Sequence, residues 1–286
     1  MACSPASAAG VHLAATRALG VGSGRGNYHP ANTIGTVRIV LLVAACAAVG
    51  ACAGALAPQV VYRLAVPMDD PPRGDCPRCR AVLRTGWRGW IRVDGRCPAC
   101  RARLVDHWWV YPAIAAAGFA ALGWRLPTRH AADVALLAAW LLLAATGVVL
   151  AGVDLRVRRL PRPVLAATAA GIAPLVAVAA ACARDPGLAV RAVVTAVALG
   201  GAYLVLALIG PGLVGMGDVY LAALLGLLLG TGPTMGILAG AIAPYLLAGP
   251  ITAARLAVHH AERRSQTAFG PYLIAGTVLA KVVIPL

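Results

Sequence analysis

From residue 37 to the C-terminus, apolar runs of roughly twenty residues alternate with short polar breaks. A helix rises about 1.5 Å per residue, so such a run matches a hydrocarbon layer roughly 30 Å thick. Eight spans are expected, at 37–61, 108–125, 134–152, 163–182, 188–209, 217–230, 232–254 and 268–285. The sixth is short. Thr231-Gly232-Pro233 separates it from the seventh, and this pair is expected to form a tight helical hairpin. Prolines 174, 244 and 250 fall inside or near spans, where neighbouring helices satisfy the freed carbonyls. The pattern defines an all-α polytopic membrane protein with one large hydrophilic insertion at 62–107. Residues 1–36 are rich in Ala, Gly and Ser and read as a poorly ordered tail without the layout of a cleavable signal peptide.

Composition sharpens this picture. The chain of 286 residues is 60% hydrophobic and carries a formal charge of +15. That charge does not point to nucleic acid, because the basic residues cluster in loops between apolar spans and form no stripe on a soluble face. Ten arginines, from Arg63 to Arg103, lie in the 62–107 loop. Arg156, Arg158, Arg159 and Arg162 follow the third span, and Arg255, Arg263 and Arg264 follow the seventh. With eight spans these loops fall on one side, together with 210–216. An excess of arginine marks the cytoplasmic side, so both termini are expected outside.

The loop at 62–107 contains Cys76-Pro77-Arg78-Cys79 and Cys97-Pro98-Ala99-Cys100, a C-x2-C-x17-C-x2-C spacing. Two matched pairs at that spacing read as a four-thiolate zinc site. Four sulfurs leave no open coordination position, so the zinc is expected to be structural. Arg80, Arg96 and Arg101 are placed to offset its net negative charge, and His107 reads as an interfacial residue. Cys46, Cys52 and Cys182 lie in apolar spans as small packing residues.

The topology has a further consequence. Asp154 ends the third span and Asp218 begins the sixth, so both fall at the cytoplasmic edge. Asp133 and Asp185 fall on the other side, in loops. Ionisable groups at membrane depth are costly and usually functional. Two facing carboxylates share a proton, so that one donates while the other activates water. Gly215 and Gly217 precede Asp218, and a Gly there permits close backbone approach or positive φ. Leu160, Pro161 and the glycines other than Gly217 are expected to tolerate substitution by comparison with the two acids.

These motifs, in order, resemble the prepilin peptidases, the GxGD-type aspartic peptidases of bacterial type IV pilus and type II secretion systems. The similarity runs from about residue 50 to 275. It rests on GACAGALAPQVVYRL at 50–64, the paired cysteine knuckles, YPAI at 111–114, DLRVRRLP at 154–161, GMGDVYLAALLG at 215–226 and FGPYL at 269–273. The resemblance implies a seven-helix peptidase core at 108–286 in the bacterial inner membrane, with Asp154 and Asp218 as the catalytic pair. Its substrates would be prepilin or pseudopilin precursors, whose short basic leader is removed at the cytoplasmic face, typically after a Gly. Members with the cysteine loop usually also methylate the new N-terminus with S-adenosylmethionine. The chain departs from the family pattern at Pro58, Tyr220, Arg162 and Ala115, where Asn, Lys, Asp and an acidic residue are usual. Two competing readings use the same residues: a proton-coupled carrier built on the carboxylates, and a catalytically silent zinc-loop scaffold.

Overall fold

The computed structural model describes residues 30–67, 70–83, 86–90, 95–210, 214–259 and 268–284, with side chains at 30–35, 87–88 and 255–259 left aside. Nine helices lie among them: α1 (Pro30–Leu64), α2 (Trp87–Trp90), α3 (Val110–Arg125), α4 (Ala131–Val157), α5 (Arg162–Ala183), α6 (Pro186–Ile209), α7 (Met216–Leu229), α8 (Thr234–His259) and α9 (Gly270–Val283). Apart from the four-residue α2, they correspond one to one to the eight expected spans. No strand occurs among the described residues, only isolated bridges in the cysteine loop. Helices containing Thr36–Leu64, Ala131–Val157, Arg162–Ala183, Pro186–Ile209 and Thr234–Ala254 are long and apolar enough to cross a bilayer, and α7 and α9 are shorter apolar helices. The chain is a multi-pass membrane protein by that criterion.

Among the described residues, those up to Arg38 belong to one unit and those from Ile39 onwards to the other. The tail expected at 1–36 lies outside the described residues as far as position 29, and the chain is helical from Pro30. The basic loop at 255–267 also falls outside them, apart from the backbone at the end of α8.

Within the second unit, small residues decide which helices meet. A Cβ added at Gly226 or Gly230 would lie 2.6 Å from the Thr195 or Arg191 carbonyl oxygen, so these glycines let the α7 backbone press against α6. Gly50 and Gly54 bring α1 equally close to α3, 2.6 Å from the Ala115 and Tyr111 oxygens, and Gly276 brings α9 onto Pro244 of α8. The expected hairpin is therefore only half realised. The turn after Gly230 is tight, but α7 packs chiefly on α6 and α8 chiefly on α9. Glycine placement overrides adjacency in sequence here.

Helix ends also differ from expectation. The third span runs a turn past its apolar stretch, to Val157, so Asp154 sits inside the last turn of α4. Asp133 and Asp185 are not loose loop residues. Asp133 accepts the Arg129 and His130 amides (3.1 and 3.0 Å) at the start of α4. Asp185 pairs with Arg191 at 3.2 Å. Asp133 and Asp154 are thus at opposite ends of α4, about 31 Å apart along a helix rising about 1.5 Å per residue, one hydrocarbon thickness.

Candidate active site and metal centre

The two carboxylates expected to act together line one cavity of about 480 Å³, formed with Arg158, Arg159, Leu160, Arg162, Pro163, Gly215, Met216 and Gly217. They lie within electrostatic reach of each other. Asp154 is buried, with 4% exposure, and Asp218 is half-buried.

Each carboxylate is held by a helix N-terminus. Asp218 is in the first turn of α7 and accepts the Gly215 amide at 3.4 Å, a long contact at the favourable end of its own helix. Asp154 is in the last turn of α4, where the macrodipole opposes a negative charge. The compensation comes from elsewhere in the chain: the Gly270 amide, at the start of α9, donates to Asp154 Oδ2 at 3.0 Å. Among the described residues no salt bridge joins Asp154 to Arg156 or Arg158, its basic neighbours in sequence.

Leu160 connects the two halves. A Cβ added at Gly217 would fall 2.8 Å from Leu160 Cβ, and one at Gly270 would fall 2.9 Å from Asp154 Oδ2 and 3.3 Å from Leu160 Cδ2. The side chain, 6% exposed, is wedged between the starts of α7 and α9. Leu160 was expected to tolerate change, and this packing argues otherwise. Close approach is thus the role of Gly217. Positive φ is not: neither Gly215 nor Gly217 adopts it, and Gly215 has an ordinary extended backbone with φ −76 and room beside it. Gly270 was missed by residue-level reasoning. Its signal was the FGPYL motif, 116 residues from Asp154. Behind it, Phe269 stacks near Tyr245 and Tyr203, with ring centres 5.3 and 6.5 Å away.

The cysteines come together as the spacing predicts. All four Sγ atoms lie within 4.8 Å of one another, with Cys76–Cys100 and Cys79–Cys97 both at 3.7 Å. A tetrahedral zinc with Zn–S bonds of about 2.3 Å holds its sulfurs roughly 3.8 Å apart, so the donor set fits that metal. His107 stands outside the group. Burial raises the Cys76 thiol, but the Cys79 and Arg78 amides and neighbouring thiols bring it down to about 7. At Cys79 the Ala81 amide acts downwards, but the Cys100 thiol and desolvation push it up to about 11. Four crowded thiols do not all ionise by themselves, and a divalent cation is what such a group is suited to hold.

The knuckles are copies of one unit, GDCPRCRAVL at 74–83 and GRCPACRARL at 95–104. In each, the first Cys amide bonds the carbonyl five residues on (Ala81 or Ala102, 3.0 and 2.9 Å), and the Leu amide bonds the Gly carbonyl. The Arg after the second Cys turns left-handed in both, with φ 58 at Arg80 and 56 at Arg101. Leu83 and Leu104 close a small core with Tyr62 and Val105. The loop is tied to the end of α1 through Gln59 and Arg63, which both donate to the Gly89 carbonyl, and through the Tyr62 hydroxyl, which donates to Asp75 O at 2.9 Å. Arg159, beside the dyad cavity, donates to the Val66 and Pro67 carbonyls and so links that cavity to the segment entering the metal loop.

No family model matches the chain, and no curated protein or solved structure matches it either.

Proposed function

We propose that this protein is a membrane aspartic endopeptidase of the prepilin-peptidase type. The observation that carries the reading is the convergence of Asp154 and Asp218, from helices far apart in sequence, on one cavity. Asp154 is the more deeply buried acid and is held by the Gly270 amide. Asp218 is half-buried. A water between them is deprotonated by the ionised carboxylate and attacks a peptide carbonyl that the protonated carboxylate polarises. The substrate is a precursor whose apolar helix lies in the bilayer and whose short leader reaches the dyad, as in prepilins and pseudopilins. The ends of α4 and α7 that carry the acids adjoin Arg156, Arg158, Arg159 and Arg162, a charge bias that supports a cytoplasmic face for the site, and the prepilin-peptidase reading takes the membrane to be a bacterial inner membrane.

Zinc bound by Cys76, Cys79, Cys97 and Cys100 would cross-link the two knuckles and hold the loop against α1, with no chemical role in hydrolysis. Nothing among the described residues supports methylation by S-adenosylmethionine. The carrier reading needs a continuous polar path away from the dyad, and two of the buried hydroxyls in the bundle are already committed. Thr168 and Thr195 donate back to their own helices, at 2.7 and 2.8 Å. Along α9, Thr277 follows Gly270 by about 10 Å at about 1.5 Å per residue, too far for a direct proton step.

The test is cleavage of a synthetic leader-bearing precursor by purified protein in detergent or nanodiscs. Asp154→Asn and Asp218→Asn should each lower turnover by at least roughly 10³-fold while keeping wild-type thermal unfolding. Near-normal cleavage by either variant refutes the dyad.

A further inference from the structure

Hydrolysis accounts for one end of the bundle only. α9 starts at Gly270 beside the dyad and carries Lys281 in its last turn, about 16 Å further on at about 1.5 Å per residue. By the same measure Trp140 of α4 lies about 21 Å from Asp154. Both residues are buried, Lys281 at 8% exposure and Trp140 at 0%. A cation in such a place is costly and usually functional. Among the described residues Lys281 makes no hydrogen bond and no ion pair. Its ammonium stands 5.6 Å from the centre of the Trp140 ring, a cation–π contact that leaves its N–H donors unused. The Trp140 Nε1–H also lacks an acceptor. Arg125, half-buried at the end of α3, lies within electrostatic reach of Lys281 and adds a second cation. The acids at this end are already committed: Asp133 accepts the Arg129 and His130 amides, and Asp185 pairs with Arg191. Buried donors are normally satisfied, so this group is short of an acceptor with negative charge.

Gly232 leaves the ammonium within reach. It stands half-buried in the turn between α7 and α8. A Cβ added there would lie 3.6 Å from Lys281 Nζ and 3.4 Å from the Leu229 carbonyl oxygen. Any other residue at 232 would therefore put its side chain beside Nζ. The backbone does not demand glycine, because Gly232 has no positive φ.

We infer that Lys281, with Arg125 beside it and the Trp140 ring beneath, binds the phosphate of a net-negative phospholipid in the leaflet opposite the dyad. A group at the far ends of membrane-spanning helices is reached from the headgroup layer, and a lipid phosphate brings both the acceptor oxygens and the charge that the cluster lacks. A zwitterionic headgroup is disfavoured, because it adds its own cation to the two already present. Bound there, the headgroup ties α4 and α9 to the turn that ends α7. The opposite ends of these three helices carry Asp154, Gly270 and Asp218. The inference does not depend on the peptidase reading.

The experiment uses the full chain, delipidated in a neutral detergent and titrated with phosphatidylglycerol, phosphatidylcholine or inorganic phosphate. Native mass spectrometry counts bound lipid, and thermal unfolding reports the stabilisation that binding confers. Phosphatidylglycerol should bind the wild type roughly tenfold or more tighter than phosphatidylcholine, the factor one charge-assisted contact supplies, and should raise its melting temperature. Lys281→Met should weaken phosphatidylglycerol binding roughly tenfold and leave phosphatidylcholine binding unchanged. Gly232→Leu keeps the lysine but covers it, and should act alike; it carries the test if Lys281→Met fails to fold. Arg184→Gln, which alters an exposed arginine at the same end of the bundle, should bind as the wild type does. Equal binding of the two lipids by the wild type overturns the inference, and so does an equal loss in Arg184→Gln, which would mean diffuse attraction. A melting temperature moved by Lys281→Met with lipid preference intact also overturns it, since the ammonium would then only counter the carbonyl end of α7. If inorganic phosphate alone stabilises the protein as well and displaces the lipid, the site takes a free anion and the lipid assignment falls.

Discussion

Gly217→Ala tests whether packing alone sets the distance between the two acids. The added methyl carbon would stand 2.8 Å from Leu160 Cβ, with Leu160 Cδ1 and Cγ at 3.4 and 3.5 Å. Non-bonded carbons rest at about 3.5–4.0 Å, so roughly 1 Å must be found. Leu160 has little room to give. Its Cβ is one bond from a backbone that continues into Pro161, and its Cδ2 already faces Gly270 on the other side. The start of α7 therefore shifts, taking Asp218 with it. A misplacement of about 1 Å between reacting groups costs on the order of 10²-fold, equivalent to about 2.7 kcal/mol of transition-state stabilisation. Overpacking of this kind costs about 1–3 kcal/mol of stability, which leaves a folded protein to assay. The expected result is a fall in kcat of roughly hundredfold with KM little changed, measured on a leader-bearing precursor beside a thermal-unfolding control. Gly215→Ala is the comparison: its nearest neighbour would be Asp218 Oδ2 at 3.5 Å, so cleavage should stay close to wild type. Full kcat in Gly217→Ala with an unshifted melting temperature would refute the claim that this contact places the dyad.

The same logic applies across the cavity to Gly270→Ala, whose methyl would press on Asp154 Oδ2 at 2.9 Å; kcat should fall with little change in expression, and unchanged turnover would remove Gly270 as the residue that positions Asp154. Metal analysis should find about one zinc per chain, and Cys76→Ser or Cys97→Ser, the two buried ligands, should lose it; metal-free wild-type protein from chelator-free preparation would reject the site. Zinc affinity should fall as pH drops from roughly 8 to 6, because binding must expel protons from the thiols, most of all from Cys79 with its raised pKa; titration with a competing chelator at each pH reads this, and a flat profile contradicts four-thiolate ligation. Arg159→Ala should loosen the segment at Val66 and Pro67 and cost about 1 kcal/mol, read as faster proteolysis of the metal loop with zinc still bound.

What the sequence made legible follows from the range of each signal. Membrane spans are local and long, so the eight helices could be found from apolar runs alone, and the charge of the loops then put Asp154 and Asp218 at the same ends. The cysteine spacing is equally local, and the four sulfurs meet as expected. Contacts between distant segments were not legible. Nothing near Asp154 in sequence says that its amide donor is Gly270, and nothing near Leu160 says that it sits between two glycines on different helices. Helix pairing was misjudged for a related reason: the α7–α8 turn suggested a hairpin, whereas Gly226 and Gly230 commit α7 to α6. In a membrane, where apolar faces gain little by leaving lipid for one another, close backbone approach at small residues decides which helices meet. Gly217 and Gly270 apply that rule at the site itself. An acid in the last turn of one helix is stable there only because the first amide of another comes within 3.0 Å of it, and that second helix can come so near only because its first residue has no side chain.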